Sequence, residues 1–332
     1  MKTRILITGG CGFIGHHFVD HFLKNTDWHV VIFDRLNYAS YGFERLRDSN
    51  LFNFNGDRIS ILTADFTKPI AHGLAREIGA VDYILHLGAE THVDNSIADP
   101  LPFVHANVLG TAEMLEAARK QPQLKKFVYF STDEVFGPAP SGVRYKEWDR
   151  YNSTNPYSAT KAGGEELALA YANTYRLPVI VTHTMNVFGE RQHPEKFIPK
   201  IIKAVLAGEK IFIHADSTKT IPGSRFWIHA RNVASAIHFL LKNSEFREKY
   251  NIVGEKEVDN LTLAKTIAHI LEKPLLYKMV DFHSSRPGHD LRYALDGSKM
   301  YQMGWSLPIS FHDSLANVIQ WSLANPRWLS FE

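Results

Sequence analysis

Gly9, Gly12 and Gly15 stand three residues apart, directly after the apolar run 4–8 and at the start of an amphipathic segment, 12–24. In that setting glycines permit a tight turn and a close backbone approach to a pyrophosphate, which then sits on the positive end of the helix dipole. A glycine triplet alone is a weak signal. Here, however, Asp34 closes the second apolar run, Val30-Val31-Ile32-Phe33, about 20 residues after the last glycine, where a carboxylate meets the ribose hydroxyls of a dinucleotide. A turn used only for packing leaves that placement unexplained. The same carboxylate repels a 2′-phosphate, so the expected cofactor is NAD, with Arg35 the one neighbour that leaves room for NADP.

Short apolar runs then alternate with longer helical patterns. Strands are expected at 4–8, 29–33, 59–64, 83–87, 127–131 and 179–183, with helices at 12–24, 103–120 and 156–175. This is the α/β pattern of a doubly wound parallel sheet covered on both faces. Beyond about residue 185 the alternation breaks into shorter mixed elements rich in Pro, His and Lys. The expected division is a dinucleotide-binding domain over 1–184, joined by 228–243, and a smaller C-terminal α/β domain for substrate over 185–227 and 244–332. No repeat or flexible linker separates the two, so they should pack together.

Charge excludes one class of partner. Lys and Arg (37) nearly balance Asp and Glu (35), so no basic field exists to hold nucleic acid. The single cysteine, Cys11, cannot form an intrachain disulfide, and within the glycine turn it reads as a small packing residue rather than a reactive thiol. The N-terminus reaches glycine too soon for a signal-peptide core, and no apolar run is long enough to span a bilayer. A cytoplasmic protein is expected.

Tyr157 and Lys161 are four apart in a segment that opens Asn155-Pro156, an N-cap followed by a proline in the first turn, so they share a helix face. A nearby ammonium favours phenolate, which predicts a lowered tyrosine pKa and a base able to take a hydroxyl proton. Alone, such a pair is more often a surface contact. Ser131-Thr132-Asp133-Glu134 follows the strand Phe127-Val128-Tyr129-Phe130, hence stands at the carboxyl edge of the sheet where α/β proteins bind ligands. Two adjacent carboxyls could be a solvated loop; in a closed site their pKa values are pushed apart, leaving one acid and one base.

Three motifs carry a resemblance: Gly-Gly-Cys-Gly-Phe-Ile-Gly at 9–15, Ser-Thr-Asp-Glu-Val-Phe-Gly at 131–137 and Asn-Pro-Tyr-Ser-Ala-Thr-Lys at 155–161. Together they resemble extended short-chain dehydrogenase/reductases, and more narrowly the dTDP-glucose and UDP-glucose 4,6-dehydratases. The likeness runs on through Pro194-Glu195-Lys196, Tyr250-Asn251-Ile252 and Arg286-Pro287-Gly288-His289-Asp290. Related epimerases lack the acidic pair, and the UDP-glucuronate decarboxylases resemble Thr-Ser-Glu there. The resemblance implies NAD held by Gly9, Gly12, Phe13, Ile14, Gly15, Asp34, Asp65, Phe66, Leu87, Ala89, Tyr157 and Lys161. It implies that Tyr157, supported by Lys161 and Thr132, takes the sugar C4 hydroxyl proton, after which Glu134 removes the C5 proton and Asp133 protonates the leaving C6 hydroxyl.

For the nucleotide sugar, the resemblance implies Thr91 and Asn107 near the sugar, Asn186, Lys196, Arg225 and Arg286 at the diphosphate, and Asn251 and His289 in other nucleotide-contacting segments. Asn107 reads equally well as a helix-surface residue. Where the family usually has Arg-Asp-Trp this chain has Arg225-Phe226-Trp227, behind a slightly lengthened 219–224, so an altered lid is the alternative. Ile213-His214 resembles the plant-type UDP-glucose enzymes, placing His214 at the base and favouring uracil slightly; a surface strand end is the plain reading of that histidine. Seventeen histidines, with His17 and His21 on one turn, bring no third ligand at metal spacing, so no metal is expected. The rivals are an epimerase or decarboxylase on the same scaffold and a non-catalytic NAD-binding regulator. A homodimer through 103–120 and 156–175 is expected from the resemblance.

Overall fold

A computed structural model describes residues 2–53, 58–282 and 291–330 of this chain. Its β-branched and aromatic runs form β1 (Arg4–Thr8), β2 (His29–Asp34), β3 (Ile59–Thr63), β4 (Tyr83–His86), β5 (Lys126–Thr132) and β6 (Val179–Thr184). Shorter strands follow: β7 (Asn186–Phe188), β8 (Ile211–Ala215), β9 (Ser224–His229), β10 (Lys249–Ile252), β11 (Glu257–Asp259) and β12 (Tyr277–Asp281). The large sheet has seven strands in the order β10-β6-β5-β4-β1-β2-β3, and every pairing in it is parallel. Val30, Val31, Ile32 and Phe33 are all buried, because helices cover both faces and leave no polar side to alternate with. Chain order reverses between β1 and β4. A crevice therefore opens above their carboxyl ends, which places the glycine turn and the ends of β5 and β6 on one rim.

Two small sheets, β11-β9-β7 and β12-β8, stand beside this layer. Helices Phe197–Ala207, Asn260–Ile270 and Phe311–Ala324 pack with them around their own apolar core, which includes Phe188, Ile202, Ile213, Leu263 and Leu315. Helix Ala230–Asn243 instead lies on helix Phe13–Asn25, with Val233, Ile237 and Leu240 in the core of the large sheet.

Two expectations change. The range 244–332 does not belong wholly to the smaller lobe, since β10 pairs with β6 from Lys249↔Val181 to Ile252↔Thr184. Tyr250 and Ile252 are buried, and the edge of the large sheet gives them both backbone partners and a core. The expected helix 103–120 is Leu101–Val104 and Gly110–Arg119 joined by a π-helical turn, His105–Leu109. A Cβ at Gly110 would stand 2.6 Å from the Phe66 ring, so the helix runs closer to the turn after β3 than a regular side chain allows.

Candidate active site

Gly9 takes φ +70°, and its N–H bonds the Phe33 carbonyl, which turns the chain sharply off β1. A Cβ on Gly15 would lie 2.1 Å from the Gly9 carbonyl oxygen; only glycine lets the helix start so close to the turn. Gly12 is the N-cap and offers no side-chain acceptor, so the first-turn N–H groups are left for a ligand. Asp34 is buried beside them, its Oδ2 accepting from Cys11 N (2.9 Å) and its Oδ1 from Leu36 N (2.8 Å). Burial raises its carboxyl pKa, and those two backbone donors oppose the rise. The Arg35 guanidinium is committed to Glu90. A glycine cradle, uncapped donors and a carboxylate at β2 fit an unphosphorylated dinucleotide.

A cavity of about 360 Å³, within the usual range for ligand sites, runs from this turn to the ends of β5 and β6. Gly9, Gly12, Phe13, Ile14, Gly15 and Asp34 line it, as do Phe66, Leu87 and Ala89. Asp65 does not, because its Oδ1 accepts from Thr67 N (2.9 Å) and closes the turn after β3.

Thr132, Asp133, Glu134, Tyr157 and Lys161 meet at the other end of the cavity. Asn155 and Ser158 cap the catalytic helix reciprocally and Pro156 fills its first turn, which fixes Tyr157 and Lys161 on the buried face. Lys161 Nζ donates to the Phe130 carbonyl (2.7 Å) and lies 4.4 Å from the centre of the Tyr129 ring. Burial pushes its ammonium down to about 7. Tyr157 is not lowered as its spacing from Lys161 predicts. Burial raises the phenol well above its ordinary value, the Glu134 and Asp133 carboxylates add to the rise, and a hydrogen bond with Thr132 opposes it. The reason is geometric: the lysine head is anchored on strand β5, and the nearest formal charges are negative.

Asp133 is 4% exposed, and its Oδ2 is buried without a hydrogen-bond partner. Burial and then the charge of Glu134 push its carboxyl up to about 7, against an opposing pull from Arg225. Thr132 Oγ1 donates to Asp133 Oδ1 (3.1 Å) and accepts from Glu134 N (3.3 Å), orienting the pair in opposite directions. Half-buried Glu134 accepts at Oε2 from Asn155 Nδ2 (3.3 Å). The cavity thus holds a carboxyl and an ammonium both shifted to about 7, a second carboxyl and a phenol, a set able to move protons at adjacent carbons of one bound molecule.

The remaining expected residues divide. Thr91, Asn186 and Lys196 line the cavity. Asn107 does not reach it and is no surface residue either: at 1% exposure it clasps the Glu90 backbone through both ends of its amide and donates to Thr160 Oγ1 (3.0 Å). Arg225 lies over the Tyr293 ring at 4.5 Å and donates to the Ser224 and Leu291 carbonyls, behind the lining rather than in it. Asn251 is fully buried and bonded to His183 and to the Tyr145 and Asp296 carbonyls, because β10 joins the large sheet and turns it inward. His214 faces a separate cleft with Lys200, Lys203 and Asp281. Arg286 and His289 lie outside the described residues.

Cys11 is fully buried with its thiol pushed upward, so it stays a neutral packing residue. His17 bonds the Glu190 carbonyl (3.2 Å) and His21 bonds His238 (3.1 Å); among the described residues no three donors gather for a metal. Sequence reasoning missed Tyr129, whose hydroxyl donates to the Lys161 carbonyl (3.0 Å) while its ring faces the ammonium. A tyrosine in an otherwise apolar, two-sided strand was the available signal, since a buried hydroxyl needs a partner.

A family model described as the NAD dependent epimerase/dehydratase family matches residues 5–253. The dTDP-glucose 4,6-dehydratase of Salmonella typhimurium is 36% identical across 98% of this chain and 94% of its own length. A trifunctional UDP-glucose 4,6-dehydratase/UDP-4-keto-6-deoxy-D-glucose 3,5-epimerase/UDP-4-keto-L-rhamnose-reductase of Arabidopsis thaliana is 34% identical across 98% of this chain, which spans about half (48%) of that relative's length. Among solved structures, the dTDP-glucose 4,6-dehydratase DesIV of Streptomyces venezuelae with NAD bound superposes with a TM-score of 0.87, at 35% identity and 98% coverage of both chains.

Proposed function

The chain belongs to the NAD-dependent epimerase/dehydratase family, and from that premise we propose that it is an NAD-dependent nucleotide-sugar 4,6-dehydratase acting on glucose carried by dTDP or UDP. The observation that carries the reading is the carboxyl pair of buried Asp133, pushed up to about 7, and Glu134, gathered at the same end of the cavity as Tyr157. An epimerase needs only the Tyr157 and Lys161 end of such a site. A carboxyl raised to about 7 can supply a proton when a poor leaving group must depart.

The proton on sugar C5 is too weakly acidic for a carboxylate until C4 is a ketone, so oxidation precedes elimination. NAD, held by the glycine turn and Asp34, would supply the hydride acceptor for C4 and the hydride donor for C6. Tyr157 takes the C4 hydroxyl proton, with Thr132 bonding the same oxygen and Lys161 supporting the phenolate. Glu134 then removes the C5 proton, and Asp133 gives its proton to the departing C6 hydroxyl. Hydride addition at C6, with return of the Glu134 proton to C5, gives a 4-keto-6-deoxy sugar nucleotide plus water. Lys196 and Asn186, on the cavity wall towards the smaller lobe, are the residues we assign to the diphosphate, with Arg225 acting from behind them.

The test is incubation of the purified protein with dTDP-glucose and with UDP-glucose, without added reductant. A 4-keto product with no net NADH is expected; one NADH released per turnover would make the chain an ordinary dehydrogenase. Tyr157→Phe should abolish the oxidation, whereas Glu134→Gln should oxidise C4 and stall with NADH bound. Thymine and uracil differ by one methyl, which an apolar pocket distinguishes by roughly 10–200-fold, so both substrates should turn over with a ratio in that range. His214→Tyr, measured in the same competition, reports whether that side cleft touches the base.

A homodimer and a cytoplasmic setting belong to the same reading. Val104 and Leu109 stand 43% and 44% exposed on the segment expected to face a second copy, which supports the dimer. Among the described residues no helix is long and apolar enough to cross a membrane.

A further inference from the structure

We propose that Asn155 is a positioning residue for the base Glu134, holding that carboxylate ionised and aimed while capping the helix that carries Tyr157; the proposal rests on the dehydratase reading above. Asn155 is 5% exposed, and its Oδ1 accepts from Ser158 N at 2.8 Å in a reciprocal cap. A side-chain amide has one accepting end and one donating end. Because the helix N–H claims the oxygen, the orientation of the amide is not open, and Nδ2 must face away from the helix. It faces Glu134 Oε2, at 3.3 Å.

Capping alone does not call for a donor at this position. Serine, threonine or aspartate satisfies an N-terminal N–H as well as asparagine does. The segment before the helix is also locked to the loop that carries Glu134. Asn152 N donates to the Val135 carbonyl (3.0 Å), and a Cβ at Gly137, which sits at φ +73°, would come within 2.2 Å of the Asn152 carbonyl oxygen. Glu134 is therefore gripped through its backbone by Thr132 and through its carboxylate by Asn155, only two residues from Tyr157. One side chain thereby joins the group that begins the reaction to the group that acts next.

A hydrogen bond to the charged form of a carboxylate lowers its pKa and keeps it available as a base. Other groups that bear on Glu134 include Asp133 on its own turn, Tyr157 on the catalytic helix and Tyr293, whose hydroxyl reaches Oε2 at 3.5 Å with Arg225 stacked behind it. Replacing Asn155 leaves each of these side chains in the sequence. A shift in the pH dependence of elimination then belongs to the lost amide.

The experiment uses the NAD-loaded full chain, mixed rapidly with dTDP-glucose, and follows bound NADH as it rises on oxidation and falls on reduction after elimination. Asn155→Ser keeps a capping oxygen and removes the donor. Its oxidation phase should stay within about twofold of wild type while elimination slows roughly tenfold, and the acid limb of the elimination step should move up by about half to one pH unit. Asn155→Asp also keeps the cap but sets a second carboxylate against Glu134, so its elimination should fall below that of the serine variant. Loss of both phases in proportion, together with a lower melting temperature, would mean that Asn155 is only a cap and would overturn the proposal. So would an aspartate variant as fast as wild type, or a serine variant with an unmoved acid limb. A wild-type chain that makes no 4-keto product would instead overturn the dehydratase reading itself.

Discussion

Asp133 and Lys161 both stand near 7 for one reason, since burial penalises whichever form is charged and so moves a carboxyl up and an ammonium down. The cost of keeping Asp133 in that place is visible in its unpartnered Oδ2. Its folded pKa is raised from the ordinary value of 3.8, so the protonated carboxyl contributes stability that is fully present below pH 3.8 and is lost as pH rises through about 7. Asp133→Asn keeps the shape and removes the titration. The variant should therefore melt higher than wild type, by a margin that grows from pH 4 to pH 7 and then levels, as a melting series across that range would show. Its product formation should fall by about 10²–10⁴-fold, because the asparagine has no proton to give the leaving hydroxyl. A variant that is faster, or no more stable at pH 8, would mean that Asp133 is ionised in the working enzyme.

At the scale of elements, the strand, turn and helix at the N-terminus act as one device. A Cβ at Gly15 meets the Gly9 carbonyl at 2.1 Å, so Gly15→Ala must separate helix from turn and should cost about 1–3 kcal/mol in stability as well as bound NAD. Asp34→Ala should lose NAD too, since the carboxylate also ties Cys11 N into the turn. NAD released per chain by denaturation after gel filtration measures both; full retention by Gly15→Ala would show that the turn is not the cradle. This device was legible because spacing within one strand, turn and helix is local. Tyr157, Lys161 and the Asp133-Glu134 pair were legible for the same reason, each set lying within one turn of chain. Asn251 was misread because the pairing of β10 with β6 joins residues about 70 positions apart in the chain, and apolar periodicity says which side of a strand is buried without naming its neighbour. The elevation of Tyr157 was misread on the same ground: four-residue spacing put Lys161 on the right face, but the partner of its head, the Phe130 carbonyl, comes from another strand.

Across the whole molecule, the dinucleotide turn and the smaller lobe are joined through a buried set of imidazoles. The His16 and His17 rings, on the helix that begins at the glycine turn, lie tilted at 43° with centres 4.0 Å apart, and His17 meets His229 edge-on at 5.6 Å while bonding the Glu190 carbonyl beyond β7. Burial lowers His16 well below its ordinary value and takes His17 to about 3, and His86 at the end of β4 is lowered to about 3 as well. A base whose folded pKa is depressed stays neutral in the fold while the unfolded chain takes up the proton. The stability these three residues contribute is present above about pH 6.5 and is lost as pH falls towards 3. Melting temperature should therefore drop steeply from pH 7 to pH 4.5, and bound NAD should leave with the fold rather than before it, because the same helix carries both. His17→Gln retains a donor for the Glu190 carbonyl and removes one titrating site, so its acid midpoint should move to lower pH and its slope should shrink by about one proton. Excess NAD should lower the acid midpoint of both proteins by linkage. An unchanged slope in the variant, or NAD lost a full pH unit before unfolding, would show that this cluster does not couple the cofactor helix to the rest of the molecule.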